Sequence, residues 1–244
     1  MEPFHPFGAL HAVTVSVVFT VIALVTVWGR RQPLERARSA GKGLGVLLLV
    51  YYLVESVVRV WWMDVSPALI WPLEICSALY FVGAAALWWG HRQGFAIVSL
   101  WTFVATFHAL ITPTPGQGYP SLEFFRYFVA HGLLVLVAVY VLIAMEQRPT
   151  FREALGAMLA LQVWEVFVGV VDYFSGQNFL YLRHPPPSPT LIDALGPWPW
   201  YIGSLELIGI ASFALWYGIF RLAVRGPLVR APAAAPATAP ADGA

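Results

Sequence analysis

Residues 122–145 read LEFFRYFVAHGLLVLVAVYVLIAM, and this stretch sets the fold class. Beyond Arg126 a single histidine, His131, interrupts an otherwise apolar and aromatic run. As a helix at about 1.5 Å per residue, a run of this length reaches about 36 Å, which exceeds the roughly 30 Å hydrocarbon core of a bilayer. It is too long for a barrel strand, and only helices or closed barrels satisfy their backbone in lipid. Six further runs of the same kind lie near 8–29, 43–63, 67–90, 94–112, 153–175 and 198–221. The expected fold is therefore an all-α integral membrane protein, a seven-transmembrane-helix bundle occupying 1–225.

Composition agrees. The chain is 59% hydrophobic and only 11% charged, against about 25% charged in soluble domains. Loops assigned alternately to two sides place Arg30, Arg31, Arg36, Arg38, Lys42, Arg92, Arg148, Arg152, Arg221, Arg225 and Arg230 on one of them. Arg59, Arg126 and Arg183 remain for the rest. The positive-inside rule then predicts an N-terminus outside and a cytoplasmic C-terminus. Residues 1–29 have neither a basic leader nor a small-residue cleavage site, so the first run is expected to stay as a helix. The Ala/Pro-rich tail, 226–244, is expected to be disordered.

Other classes are excluded. A net charge of +1, with basic residues at helix edges, gives no nucleic-acid footprint. The single cysteine, Cys76, rules out an internal disulfide and a multi-cysteine metal site. The only lysine, Lys42, falls in the first loop, so no helix offers a Schiff-base amine for retinal. The residues call for no metal and no cofactor. The partner implied is the lipid bilayer, with a lipid or small-molecule ligand.

The polar residues inside the apolar runs carry the functional signal. Glu55, Arg59, Glu74, His108, His131, Glu165, Asp172 and Glu206 come from six runs, yet all fall toward the same edge once the runs are threaded. Counted at about 1.5 Å per residue, none passes the midplane, about 15 Å deep. A charge in hydrocarbon costs about 2.5–3.5 kcal/mol, so the cluster predicts a polar chamber in the extracytoplasmic half. Glu55 and Arg59, four apart on one face, are expected to form a structural pair. Gln162, Glu165 and Asp172 form a stripe on the sixth run, and Glu206 faces inward from the seventh. Glu74 and Cys76 are two apart, so a regular helix cannot aim both into one narrow pocket. Pro72 predicts a break just before them. The connection SGQNFLYLRHPPPSPTLIDALGPWPWY, residues 175–201, is long and stiff, and reads as a lid over the chamber.

Three chemistries fit this set. In lipid acyl transfer or hydrolysis, Cys76 is the nucleophile and His131 its base, with Glu165 or Glu206 orienting the imidazole. In small-solute or proton-coupled transport, the acids and His108 form the route. In a non-catalytic lipid-binding protein, the same groups hold a ligand. A buried thiol with no cation nearby is ordinarily inert, which weighs against the first. The apolar inner halves of the helices, which offer no continuing polar path, weigh against the second.

The chain resembles the YwaF-like family of bacterial seven-helix membrane proteins. The matching stretches are FGALH (Phe7 to His11), WPLEICS (Trp71 to Ser77), ITP (Ile111 to Pro113), FRYFVAH (Phe125 to His131) and NFLYLRHPPPSPTLIDALGPWPWY (Asn178 to Tyr201). Where that family often has histidine, this chain has Glu74. The resemblance implies a multi-pass protein of the bacterial cytoplasmic membrane. A more distant similarity, to the eukaryotic transmembrane protein 164 group, implies phospholipid acyl transfer through a cysteine acyl-intermediate and a histidine, with Cys76 and His131 as the candidates here.

Overall fold

The computed structural model describes residues 4–113, 115–186 and 191–222. It is all-helical, with seven helices among the described residues. They are α1 (Ala9–Arg31), α2 (Leu34–Trp62), α3 (Ile75–Trp89), α4 (Arg92–Ile111), α5 (Leu122–Ala144), α6 (Phe151–Ser175) and α7 (Trp200–Leu222). Six are long and apolar enough to cross a membrane, and α3 is a shorter apolar helix. The expected disordered tail at 226–244 lies outside the described residues, as does the centre of the proline-rich connection, 187–190.

Local sequence explains where most helices start. Ser121 caps α5 by accepting from the Phe124 amide at 3.1 Å. Thr150 and Glu153 form a reciprocal capping box at the head of α6, at 3.3 and 2.8 Å. Two starts differ from expectation. The second helix begins at Leu34, not 43, because Pro33 suits the residue ahead of a helix and the basic segment that follows packs inward: Ala37 and Gly41 are buried. The third begins at Ile75, not 67. Pro67–Ile70 forms a separate 3-10 turn, and the chain stays extended at Trp71 and again at Glu74, either side of Pro72.

The bundle is layered around α3, α4 and α5. Over half of the spanning windows of α4 and α5 is buried, against 6% for α7, so the outer helices present mostly lipid-facing side chains. The main core joins Leu48, Leu79, Leu87, Trp101, Val137 and Tyr140. Gly29 lets α1 close on α5, since a Cβ there would clash with the Tyr140 ring. The Tyr140 hydroxyl in turn donates to the Ala37 carbonyl at 2.9 Å, joining α2 to the same point.

One end of the bundle is basic. Arg30 pairs with Glu146, and Arg92 grips both carboxylate oxygens of Glu153 at 2.6 and 3.0 Å, clasping α4 to α6. The polar residues gather toward the opposite end.

Candidate functional site

A cavity of about 730 Å³ lies between α3, α4, α6 and α7. Its walls are mainly apolar, including Ile75, Val104, Leu161 and Ile208. Into it project Glu74, Cys76, His108, Glu165 and Glu206, five of the residues expected at a site. The connection after α6 covers it with Leu180, Tyr181, Leu182, Ile192 and Leu195.

That cover is tied down by specific bonds. The Phe179 amide donates to Asp172 Oδ1 at 3.0 Å, and the Tyr201 hydroxyl donates to the Tyr181 carbonyl. Trp198 Nε1 donates to the Leu182 carbonyl at 3.0 Å, and Ser204 Oγ to that of Leu195 at 3.2 Å. Leu180 and Tyr181 both adopt the left-handed backbone region (φ 55° and 57°), which bulky residues disfavour. The bonds around them hold that geometry. Asp172 is fully buried and anchors this cover rather than lining the cavity.

Cys76 is the second residue of α3. The first α-helical bond there runs from the Ala78 amide to the Glu74 carbonyl, so the amides of Ile75, Cys76 and Ser77 have no intrahelical acceptor. The Cys76 thiol lies 3.4 Å from Thr106 Oγ1. Thr106 sits in a π-helical turn of α4, Thr102–Thr106, closed by the Phe107 amide on the Thr102 carbonyl at 2.7 Å. Glu74 precedes the helix in extended backbone (φ −65°, ψ 146°), and this is why it and Cys76 both reach the cavity. A regular helix could not aim both inward, but no helix joins Glu74 to Cys76. Burial pushes the Glu74 carboxyl above its ordinary range, opposed by a hydrogen bond from the Leu180 backbone.

The carboxyls of Glu165 and Glu206 meet across α6 and α7. Gln162 Nε2 donates to Glu206 at 2.7 Å and to Glu165 at 3.3 Å, so one amide bridges the two carboxyls. His108 stands exposed, with its ring against Phe107.

His131 is not among the cavity-lining residues. Its Nδ1 lies 2.7 Å from the Tyr127 carbonyl, an acceptor only, so Nδ1 carries the proton and Nε2 keeps its lone pair. Its ring packs on Tyr127 at 4.4 Å. Tyr80, one turn beyond Cys76, donates to the carbonyl of Ala130 at 3.3 Å, which ties the segments carrying the thiol and the imidazole together. The expected Glu55–Arg59 pair is present at 3.9 Å, and Arg126 on α5 joins it as the closer partner of Glu55 at 2.7 Å. The pair is a three-residue link between α2 and α5.

Several contributors had weak or no sequence signals. Thr106 is polar within an apolar run and four residues from Thr102, a signal that was available. Trp101, fixed by its indole N–H on the Ala157 carbonyl at 2.9 Å, looked like any other aromatic. Among the described residues no group of three or more His, Cys, Asp or Glu side chains is placed to hold a metal.

The model of the TMEM164 family matches residues 6–217, nearly the whole helical part. The chain belongs to the TMEM164 family. With its long apolar helices, the chain is a multi-pass membrane protein of that family. No curated protein and no solved structure is matched.

Proposed function

We propose that this TMEM164-family protein acts on a lipid by acyl transfer or hydrolysis, with Cys76 as nucleophile and His131 as base. The observation that carries the reading is the position of Cys76: its thiol opens on a largely apolar cavity of about 730 Å³, within the range of small-molecule sites, at a helix start whose amides lack intrahelical acceptors. The apolar walls suit acyl chains. The finer placement follows the arginine distribution, with the N-terminus outside, the C-terminus cytoplasmic and the chamber in the extracytoplasmic half. The resemblance to the YwaF-like bacterial family supports the bacterial cytoplasmic membrane as its location.

Nε2 of His131 takes the thiol proton as the sulfur attacks an ester carbonyl of the phospholipid. The first-turn amides and the Thr106 hydroxyl face the developing oxyanion and thiolate. The tetrahedral adduct expels the lysolipid alkoxide, which takes the imidazolium proton and leaves an acyl thioester on Cys76. A second lipid hydroxyl, or water, then attacks the thioester and gives its proton to His131. The product ester or acid leaves, and the thiolate is reprotonated. His108, Glu74, Gln162, Glu165 and Glu206 bind the polar part of the substrate. Glu55, Arg59 and Arg126 hold the helices.

The test is acyl turnover of labelled phospholipid in proteoliposomes. Cys76→Ala is expected to abolish it, and His131→Gln to lower it by about 10²–10⁴-fold, the usual contribution of a general base. Full activity in Cys76→Ala overturns the nucleophile. A large loss in His108→Gln with none in His131→Gln moves the base to the histidine that shares the cavity with Cys76. The Glu165–Gln162–Glu206 cluster favours a second reading, proton-coupled or small-solute transport. Gradient-driven flux in the same liposomes that survives Cys76→Ala but not Glu206→Gln selects it over acyl chemistry.

A further inference from the structure

A second cavity lies at the basic end of the bundle. It measures about 420 Å³ and is bordered by Arg38 and Lys42 of α2, Trp88 and Trp89 of α3, Arg92 of α4 and Gln147. Along α3 it is separated from Cys76 by twelve residues to Trp88, about 18 Å at the helical rise. It is independent of the chamber.

Its charges are not equally available. Arg92 is held by both oxygens of Glu153 at 2.6 and 3.0 Å. Arg38 and Lys42 have no carboxylate partner among the described residues. They are four apart on one face of α2, and the Lys42 ammonium stands 5.7 Å over the Trp88 ring. The C-terminal carbonyls of α3 and the N-terminal amides of α4 meet at the Gly90 turn, so their dipoles offset and the side chains set the sign. Two uncompensated cations therefore face one cavity.

The cavity is built for more than a hydrated ion. Leu87, Phe95 and Met145 form part of its lining and are each buried to within a few per cent. Trp88 and Trp89 are 52% and 76% exposed, in the manner of indoles at a membrane interface. Apolar groups beneath, indoles at the rim and free cations above match the boundary between acyl chain and headgroup. A small soluble anion gains nothing from the apolar part.

We propose that Arg38 and Lys42, with Gln147 and the Trp88–Trp89 pair, form a binding site for the phosphate headgroup of an anionic glycerophospholipid at the basic end of the bundle. The site recognises the negative phosphodiester, while the Leu87–Phe95–Met145 lining takes the start of an acyl chain. A basic pocket between helices at the positive side of a membrane protein is a physical match for such lipids.

The test uses the full chain in vesicles containing dioleoyl phosphatidylglycerol and dioleoylphosphatidylcholine, followed by native mass spectrometry of retained lipid. Wild type is expected to retain phosphatidylglycerol selectively. Each basic residue near an anionic lipid contributes about fivefold, so Arg38→Gln with Lys42→Gln is expected to weaken retention by about 25-fold. The charge-conserving pair, Arg38→Lys with Lys42→Arg, is expected to keep it and controls for folding. Arg31→Gln with Arg152→Gln, outside the cavity at the same end, is expected to leave it unchanged. Equal retention of the two lipids by wild type overturns the proposal, as does undiminished retention in the Gln double variant. Equal loss in the Arg31/Arg152 pair makes the binding general surface charge and also overturns it. Displacement of the lipid by inorganic phosphate makes the site one for free anions and overturns it as well.

Discussion

Replacing Gln162 by leucine removes the amide that bridges two carboxyls on different helices. Its 2.7 Å bond to Glu206 crosses from α6 to α7, whereas its 3.3 Å bond to Glu165 stays within α6. Only the first bears on helix association, and α7 is the least buried of the spans. Interhelical hydrogen bonds in membranes average about 0.6 kcal/mol and reach about 1.7 kcal/mol, while bonds to charged groups in soluble proteins are worth about 1.5–3 kcal/mol. A short bond to a carboxyl belongs where these ranges overlap. The expected coupling between Gln162 and Glu206 is therefore about 1.5 kcal/mol, about tenfold in the folding equilibrium. The assay is reversible denaturation in mixed micelles of wild type, Gln162→Leu, Glu206→Leu and the double variant. Gln162→Leu alone should destabilise, and it should cost markedly less when Glu206 is already leucine. A coupling below about 0.5 kcal/mol, on the scale of an ordinary interhelical bond, would refute the geometry.

The charged link between α2 and α5 makes an asymmetric prediction. Arg126 lies 2.7 Å from Glu55 and Arg59 3.9 Å, and the Glu55 side chain is 11% exposed. Arg126→Met removes the close charge-assisted bond and leaves Glu55 only Arg59 at 3.9 Å, so it should cost about 1.5–3 kcal/mol, and Arg59→Met about 1 kcal/mol or less; equal losses in thermal unfolding contradict the assignment. Glu74, ahead of α3 and outside the spanning helices, predicts a pH dependence. Burial raises its carboxyl above the ordinary value of 4.5, so the folded protein holds that proton more tightly than the unfolded chain does. Its contribution is then fully present below 4.5 and is lost as pH rises through the folded value. Glu74→Gln should flatten the fall of melting temperature with rising pH above 4.5, and an unchanged slope would show that another group titrates.

Much of the architecture was legible because lipid imposes simple rules. A run such as 122–145 has to be a helix, and arginines such as Arg30, Arg92 and Arg152 collect where hydrocarbon ends. Pro72 announced the break in the third run, but not that the helix would begin only at Ile75. That shift changes the site, since Glu74 becomes a cap residue and shares the cavity with Cys76. The start of α2 was hidden because Glu35, Arg36 and Arg38 look like loop, although Ala37 among them and Gly41 just beyond pack inward. Side-chain partners were the least legible. Spacing of four paired Glu55 with Arg59, and they do meet at 3.9 Å, but no pattern within one helix could show that the bundle brings Arg126 to 2.7 Å. Helical spacing put Asp172 on the same face of α6 as Glu165, and it is, but Asp172 lies about 10 Å further along the helix, where it anchors the cover while Glu165 reaches the cavity.

Intact-mass spectrometry of the protein incubated with phospholipid vesicles tests the central claim most directly. The account predicts a mass increase of one acyl chain, removed by hydroxylamine, located on Cys76 and absent from Cys76→Ala. It also predicts that the adduct accumulates when acceptor hydroxyls are withheld. Absence of any acyl adduct under turnover, or an adduct that persists in Cys76→Ala, would contradict it.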